Sequence, residues 1–237
     1  MVLSVSKETT QDAVYALLKK GIMTLSLPPG TAMSTQEMAT KLNVSRTPVR
    51  EAFIRLHEEG LVDIFPQRQT IVSRINFTRV LQERFIRESL EIASLHLLME
   101  KGPSAACLEK MEEKILAQEQ CQKKKDYSAF ILQDNEMHRV IFDEAGQSLA
   151  WETIMSVNGN YDRFRVLTVS NEETMNSTVR QHKLLIDLMR RGESQKVFDE
   201  MYDHVRKLHY EKNDLIRQYP DYFSADEDTG GFQIGSL

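Results

Sequence analysis

At residue 76 the pattern of the chain changes, and that change sets its architecture. Before it, short helical stretches alternate with turn signals and end in two strand-like runs. After it, apolar residues recur only at the three- and four-residue spacing of helices. These segments lie near 78–101, 104–123, 126–145, 148–169, 172–191 and 194–218, divided at Gly102-Pro103, Gly146 and Gly192. With no strand alternation among them, they predict an antiparallel helical bundle with a core of its own over 76–218. Past Tyr219, the acidic run Asp226-Glu227-Asp228 and the glycines predict a flexible tail over 219–237. The expected fold class is mainly α.

Residues 1–75 form a separate unit. A helix over 8–25 stops at Leu27-Pro28-Pro29-Gly30. Ser34 with Glu37 three residues on reads as a capping box opening a short helix to about Leu42. Asn43-Val44 is a tight turn, and Ser45 caps a third helix with Pro48 in its first turn. That helix ends at Gly60, and Leu61–Phe65 and Thr70–Ile75 read as strands around residues 66–69. Helix, helix, turn, helix, hairpin is the order of a winged helix-turn-helix. Charge agrees with that. The net charge of −5 argues against nucleic acid for the chain as a whole. The first 75 residues, however, hold nine Lys/Arg against seven Asp/Glu, so the acidic excess lies in the rest.

In such a unit the start of the third helix faces DNA. Ser45, Arg46, Thr47 and Arg50 project from its first two turns, where arginine can take a guanine edge bidentately and hydroxyls can reach phosphate or base. Gln36 opens the preceding helix toward the backbone, and Arg68 sits at the hairpin tip within reach of a neighbouring groove. A solvated helix face is the plain alternative for Arg46 and Arg50.

The stretch LNVSRTPVREAFIRLHEEGLVDIFPQR resembles the DNA-binding domain of the GntR family of bacterial regulators. With the helical remainder, the resemblance extends from about residue 8 to 215 and is to the FadR subfamily with an FCD-type effector domain. It implies DNA contacts by Ser45, Arg46, Thr47 and Arg50, a homodimer, and a double-stranded, pseudo-palindromic operator. One position departs: the family's wing usually has a glycine shortly after the arginine, and here Gln69 follows Arg68.

The bundle carries a second signal. Along the helix at 126–145 one stripe reads Tyr127, Ile131, Asp134, His138, Ile141, Ala145. The helix at 172–191 has Met175, Val179, His182, Ile186 and Met189 on its stripe, and the final helix has Val197, Met201, His204, Leu208 and Leu215. A carboxylate and three imidazoles thus point from three helices into an apolar core. A buried carboxylate needs a partner, and this donor set suits a divalent ion, zinc or nickel above all. Taken singly, each histidine reads as readily as a core histidine bonded to a neighbour. His57, His96 and His209 lie off the stripes and read as structural or solvated. The resemblance implies the same set, since many FCD-type regulators have Asp-x-x-x-His on one helix and a histidine on each of two later ones.

Open metal positions would accept a small carboxylate, in keeping with the organic and sugar acids sensed across the resembling family. Arg87, Asn160, Arg163 and Arg165 are the candidates to hold it, by bidentate pairing in the case of the arginines. Pairing with Glu83, Glu88, Glu91 or Asp162 is the alternative for each arginine. The expected function is an effector-controlled regulator, by resemblance a repressor. Rival readings are a metal-dependent hydrolase, a purely structural metal, and a repressor for which the ion is the signal. Against the enzyme, no nucleophile, extra base or Gly-rich phosphate loop accompanies the constellation. No run of about eighteen apolar residues exists, the first twenty residues lack a signal-peptide pattern, and two cysteines are too few for a disulfide framework. These features predict a cytoplasmic protein that contacts no membrane.

Overall fold

The computed structural model describes residues 9–66, 68–206 and 212–225. In the first unit, α1 (Thr10–Met23), α2 (Thr35–Leu42) and α3 (Arg46–Glu58) pack on a small antiparallel sheet of β1 (Ala32–Met33), β2 (Val62–Phe65) and β3 (Gln69–Val72). The strand order is β1-β3-β2. At two residues, β1 is too short to show alternation and is invisible to a period argument. Val14, Leu18 and Ile22 of α1 meet Val49, Phe53 and Leu56 of α3 over Leu61, Val62 and Val72. That cluster aims the opposite face of α3 at solvent.

Local chemistry explains the turn between α2 and α3. Ser34 Oγ accepts the Glu37 N–H at 3.0 Å, and Asn43 ends α2 in the left-handed region at φ 53°, a conformation its short polar side chain tolerates. Ser45 occupies the cap position of α3, but its side chain makes no capping bond. Its hydroxyl is therefore spare. In the wing, Phe65 pairs with Gln69 across three intervening residues, a tight closure reached without glycine at the position after Arg68. Gln67 itself lies outside the described residues.

The bundle contains α4 (Phe77–Lys101), α5 (Ala105–Lys124), α6 (Tyr127–Glu144), α7 (Ser148–Val157), α8 (Gly159–Thr168), α9 (Glu172–Arg191), α10 (Ser194–Arg206) and α11 (Lys212–Gln218). The expected single helix over 148–169 is two. It breaks at Asn158-Gly159, where Asn158 Nδ2 donates to Asp162 Oδ2 at 2.8 Å and Gly159 abuts the first unit. A Cβ on Gly159 would lie 2.9 Å from Leu61 Cδ2. The expected helix over 194–218 comprises α10 and α11; residues 207–211 between them, including Leu208 and His209, lie outside the described set.

Residues 219–225, expected to be loose, are held in place. After the short turn Pro220–Tyr222, Tyr222 O accepts the Ile75 N–H at 2.8 Å and Ile75 O accepts the Ser224 N–H at 3.0 Å. Phe223 is buried beside Ile75, Phe77 and Phe164. Three aromatic residues in five, Tyr219, Tyr222 and Phe223, supply apolar area that outweighs the polar composition further on. Residues 226–237 lie outside the described set.

The contrast between the two serines is testable. Ser34→Ala should lower unfolding free energy by about 1 kcal/mol, whereas Ser45→Ala should change it by less than about 0.5 kcal/mol. Urea unfolding followed by circular dichroism separates the two.

Candidate metal centre

α6 presents Asp134 and His138 one turn apart on its buried face, α9 presents His182 and α10 presents His204. One donor atom from each of the four lies within 4.8 Å of every other. His204 Nε2 is 3.2 Å from both His138 Nε2 and His182 Nε2. Asp134 Oδ2 is 3.7 Å from His138 Nε2 and Oδ1 is 3.6 Å from His182 Nε2. Two donors each bound at about 2.0–2.1 Å to one ion would stand about 3.0–3.4 Å apart, so the imidazole spacing fits a shared divalent cation. Core histidines bonded to separate neighbours would have no reason to turn three Nε2 atoms toward one point.

The far sides of the rings are braced unequally. His182 Nδ1 lies 2.9 Å from Gln118 Oε1, which accepts its N–H and leaves Nε2 as the free donor. His138 Nδ1 lies 2.6 Å from Glu91 Oε1, close but poorly aligned for a hydrogen bond. His204 Nδ1 is buried with no partner among the described residues. Glu91 and Gln118 are fully buried. Sequence reasoning named Glu91 only as an arginine's alternative partner, which it also is, and missed Gln118; a buried carboxylate and amide at helical spacing facing the stripe were the available signal.

Burial is the largest influence on each titrating group here. It pushes Asp134 upward, but the Arg165 guanidinium, then His138, His182 and Arg87, hold its carboxyl far below the usual range. Burial also pushes Glu91 up, outweighed by Arg87 and His138. For His182 burial works downward, to about 3, against the attraction of Asp134. His204 is driven well below the ordinary value by burial, then by His182 and His138. These two imidazoles are thus neutral at neutral pH, the form that binds a cation.

Beside the donors lies a cavity of about 40 Å³ whose lining includes Arg87, Asp134, Tyr161, Arg165, Thr168 and His204. Each water needs about 10–15 Å³ of such space, so the cavity admits a few waters or one compact ligand. Arg165 contacts Asp134 directly and donates to Asn135 Oδ1 at 2.7 Å and Asp162 Oδ1 at 3.0 Å. Arg87 donates to Asn135 Oδ1 at 2.9 Å and lies 3.4 Å from Glu91. Both guanidiniums therefore face the cavity while paired on their other edges.

Asn160 and Arg163 do not face it. Arg163 is fully buried and donates to the Ser73 carbonyl at 2.6 Å and the Gly159 carbonyl at 2.9 Å. Asn160 Nδ2 donates to Glu83 Oε1 at 2.9 Å, and its Oδ1 accepts the Asn76 N–H at 3.0 Å. Expected as effector ligands, both are instead junction residues. Helical geometry is the reason: Tyr161, Arg165 and Thr168 share one face of α8, and Asn160 and Arg163 fall on the other.

The residues expected to contact DNA, Gln36, Ser45, Arg46, Thr47, Arg50 and Arg68, are all exposed. Gln36 Nε2 is 3.4 Å from Thr40 Oγ1. Among the described residues, Arg46, Arg50 and Arg68 have no ion-pair partner, while Arg55 on the same helix is bound to Asp12 at 2.9 Å. His57 Nδ1 lies 2.9 Å from the Val62 carbonyl and His96 stacks on Phe198, so neither joins either site.

Comparison with known proteins agrees with this division. The gntR family of bacterial regulatory proteins matches residues 10–72, and the FCD domain matches residues 84–207. This chain belongs to the GntR family and carries an FCD domain. An HTH-type transcriptional regulator from an unstable DNA locus of Streptomyces ambofaciens is 31% identical over 93% of this chain and 92% of its own. The HTH-type transcriptional repressor RspR of Escherichia coli K12 is 28% identical over 92% and 96%. Among solved structures, Escherichia coli McbR/YncC superposes with a TM-score of 0.73 at 20% identity, covering 89% of this chain and 99% of that one. The family and these relatives are transcription regulators, not enzymes.

Two measurements probe the centre. In metal-free protein the folded His182 and His204 refuse a proton that the unfolded chain accepts near pH 6.5. Between about pH 6.5 and 3 the unfolded state binds more protons, so stability falls as pH drops through that window and is level above it. Thermal unfolding in EDTA from pH 8 to 5 should show the decline. Gln118→Ala should weaken zinc binding by about 10–100-fold with one ion per chain still bound, read by calorimetric titration.

Proposed function

We propose that this regulator is a repressor whose operator affinity is set by a small carboxylate, an organic or sugar acid, bound beside a divalent ion held by Asp134, His138, His182 and His204. The carrying observation is that Asp134 and His204, two of the four clustered donors, line one cavity together with Arg87 and Arg165. In formal charge, Asp134, Asp162 and Glu91 oppose Arg87 and Arg165, leaving one negative charge with the imidazoles counted neutral. A bound zinc or nickel ion would supply two positive charges and a coordination position for an acid oxygen. The resulting surplus of one positive charge suits a carboxylate. Arg165 and Arg87 would orient it, and Tyr161 and Thr168 would enclose it.

For DNA, the exposed Ser45, Arg46, Thr47 and Arg50 at the start of α3 would enter the major groove, with Gln36 and Arg68 on flanking phosphates or grooves. A homodimer would read a pseudo-palindromic site. α4 supports it with an exposed stripe of Phe85, Ser89, Ala93 and Leu97 that carries no charge. Large, small, small, large in that order is the same read from either end, as a two-fold contact between antiparallel helices requires. No helix among the described residues is long and apolar enough to cross a membrane; a regulator acting on DNA would work in the cytoplasm.

The test is to select DNA sites from random fragments, then titrate binding with zinc-loaded protein and a panel of small carboxylates. At least one acid should weaken binding tenfold or more, and Arg165→Gln should bind the same site without that response. Chelation alone reversing DNA binding at micromolar free zinc would make the ion the signal. Indifference to every acid and to chelation would leave the ion a structural one and end this reading. Arg46→Ala and Arg50→Ala should each weaken DNA binding, with the slope of log affinity against log salt falling by about 1 for a lost phosphate contact.

A further inference from the structure

A second opening lies apart from the metal donors, where the first unit, the corner between α5 and α6 and the C-terminal segment meet. It is a cleft of about 570 Å³ whose lining includes Leu25, Lys124, Lys125, Tyr127, Tyr219 and Tyr222. A neighbouring hollow of about 380 Å³ shares Lys125, Tyr127 and Ser170 with it and adds Lys123. The walls are tied down. Ser128 Oγ donates to the Thr24 carbonyl at 3.3 Å, and Tyr222 belongs to the stretch that brackets Ile75 with two backbone hydrogen bonds. None of the four metal donors lines either space.

The positive charge here is uncompensated. Lys123, Lys124 and Lys125 are exposed and, among the described residues, none is in an ion pair. Lysines elsewhere on the bundle are paired, as Lys183 is with Glu119 at 2.6 Å and Lys196 with Glu193 at 2.5 Å. Two carboxylates, Asp126 and Glu172, line the two spaces. Asp126 is engaged in capping α6, where it accepts the Ala129 N–H at 3.0 Å. Three ammoniums against two carboxylates leave a positive surplus.

The backbone singles out one of the three. Lys125 ends α5 in the left-handed region, at φ 54° and ψ 33°, a position that favours glycine. Among the described residues, the other non-glycine residues with positive φ are Leu25 and Asn43. Asn43 tolerates the conformation through its short polar side chain, and Leu25 offsets it by packing against two core clusters. Lys125 has neither compensation, being exposed and unpaired. Backbone held in a disfavoured region without local return is characteristic of ligand sites.

We infer that this cleft is a second ligand site, separate from the metal cavity, for a phosphorylated small molecule with a planar ring, that is, a nucleotide. The inference is independent of the function proposed above. The lining of the cleft and hollow contains lysines and no arginine, and lysine serves phosphate as a point charge, whereas planar carboxylates favour the arginine fork found in the metal cavity. Tyr127, Tyr219 and Tyr222 offer flat apolar surface to a ring. The volume falls in the range of small-molecule sites, and the 40 Å³ beside the metal donors could not admit such a ligand.

The test is calorimetric titration of the full-length protein with ADP in the presence of EDTA, so that no metal ion mediates binding. One ADP per chain should bind, and adenosine and inorganic pyrophosphate should each bind about tenfold more weakly or worse. Lys124→Gln and Lys125→Gln should each weaken ADP binding by about tenfold, with zinc binding unchanged when EDTA is omitted. Lys125→Gly should weaken ADP binding as much while raising the thermal midpoint of the unliganded protein, since the strain is relieved. All three changes are at exposed positions, so the variants fold.

Absence of ADP binding would overturn the site, and so would ADP binding that all three variants retain in full. Pyrophosphate that binds as tightly as ADP would remove the ring from the assignment and end the nucleotide reading. A fall in affinity for duplex DNA in the lysine variants, with no ADP bound by the parent protein, would give these lysines to the DNA backbone instead. A midpoint unchanged in Lys125→Gly would refute the claim that Lys125 is kept at a cost.

Discussion

The contact between Arg165 and Asp134 organises the centre of the bundle. A carboxylate buried among apolar helices is tolerated only when countered, and here one guanidinium reaches Asp134, Asp162 and Asn135 together. Arg87 closes the arrangement from α4 through Asn135 and Glu91. Three helices, α4, α6 and α8, are therefore locked in register by charge as well as by packing. Removing either member of the Arg165–Asp134 pair leaves an uncompensated ion in the core, a loss of about 3–5 kcal/mol in comparable cases. The imidazoles occupy the one edge of this network that no guanidinium covers.

This arrangement makes the cavity polar and small while the surrounding core stays dry. Phe130, Met137 and Ile141 of α6, packed with Met111, Ile115, Leu185 and Met201, seal the bundle around it. Under the proposed function, selectivity for a ligand would come less from area than from matching two fixed guanidiniums and a constrained donor set. The first unit is built the other way, with its charge on the outside: Arg46, Arg50 and Arg68 lie in solvent without partners among the described residues. One chain thus keeps its bundle charge buried and paired around the cavity, and leaves these three arginines of the first unit exposed and unpaired among the described residues.

How far the sequence revealed this depended on what each feature is made of. Helices α4, α5, α6 and α9 were legible almost to the residue, because long apolar stripes and glycine or capped ends mark them. The four donors were legible because polar side chains on an apolar stripe break a pattern. The division of 148–169 was not, since Asn158-Gly159 interrupts a period that resumes at once, and only the neighbouring Leu61 shows why a glycine stands there. Arg163 and Arg165 looked equivalent in sequence. Two residues apart on a helix they point to opposite sides, and a stripe drawn through α8 alone cannot say which side holds the cavity. Glu91 was legible only as an arginine partner and Gln118 not at all, because bracing residues are recognised only through the histidines that they touch.

The bracket around Ile75 has a consequence for how the molecule comes into being. Its two halves are joined in sequence at residue 75, yet the backbone bonds that steady this junction come from residues about 150 positions further along. During synthesis the first unit can complete its own core as soon as Val72 has emerged, since Val14 through Val72 contain all of it. The contacts from α8 to Ser73, Asn76 and Leu61 become available once about 168 residues have emerged, but the bracket on Ile75 is missing until residues 222–224 leave the ribosome. The first unit is thus finished well before its attachment to the bundle is, and it is fastened down in two stages.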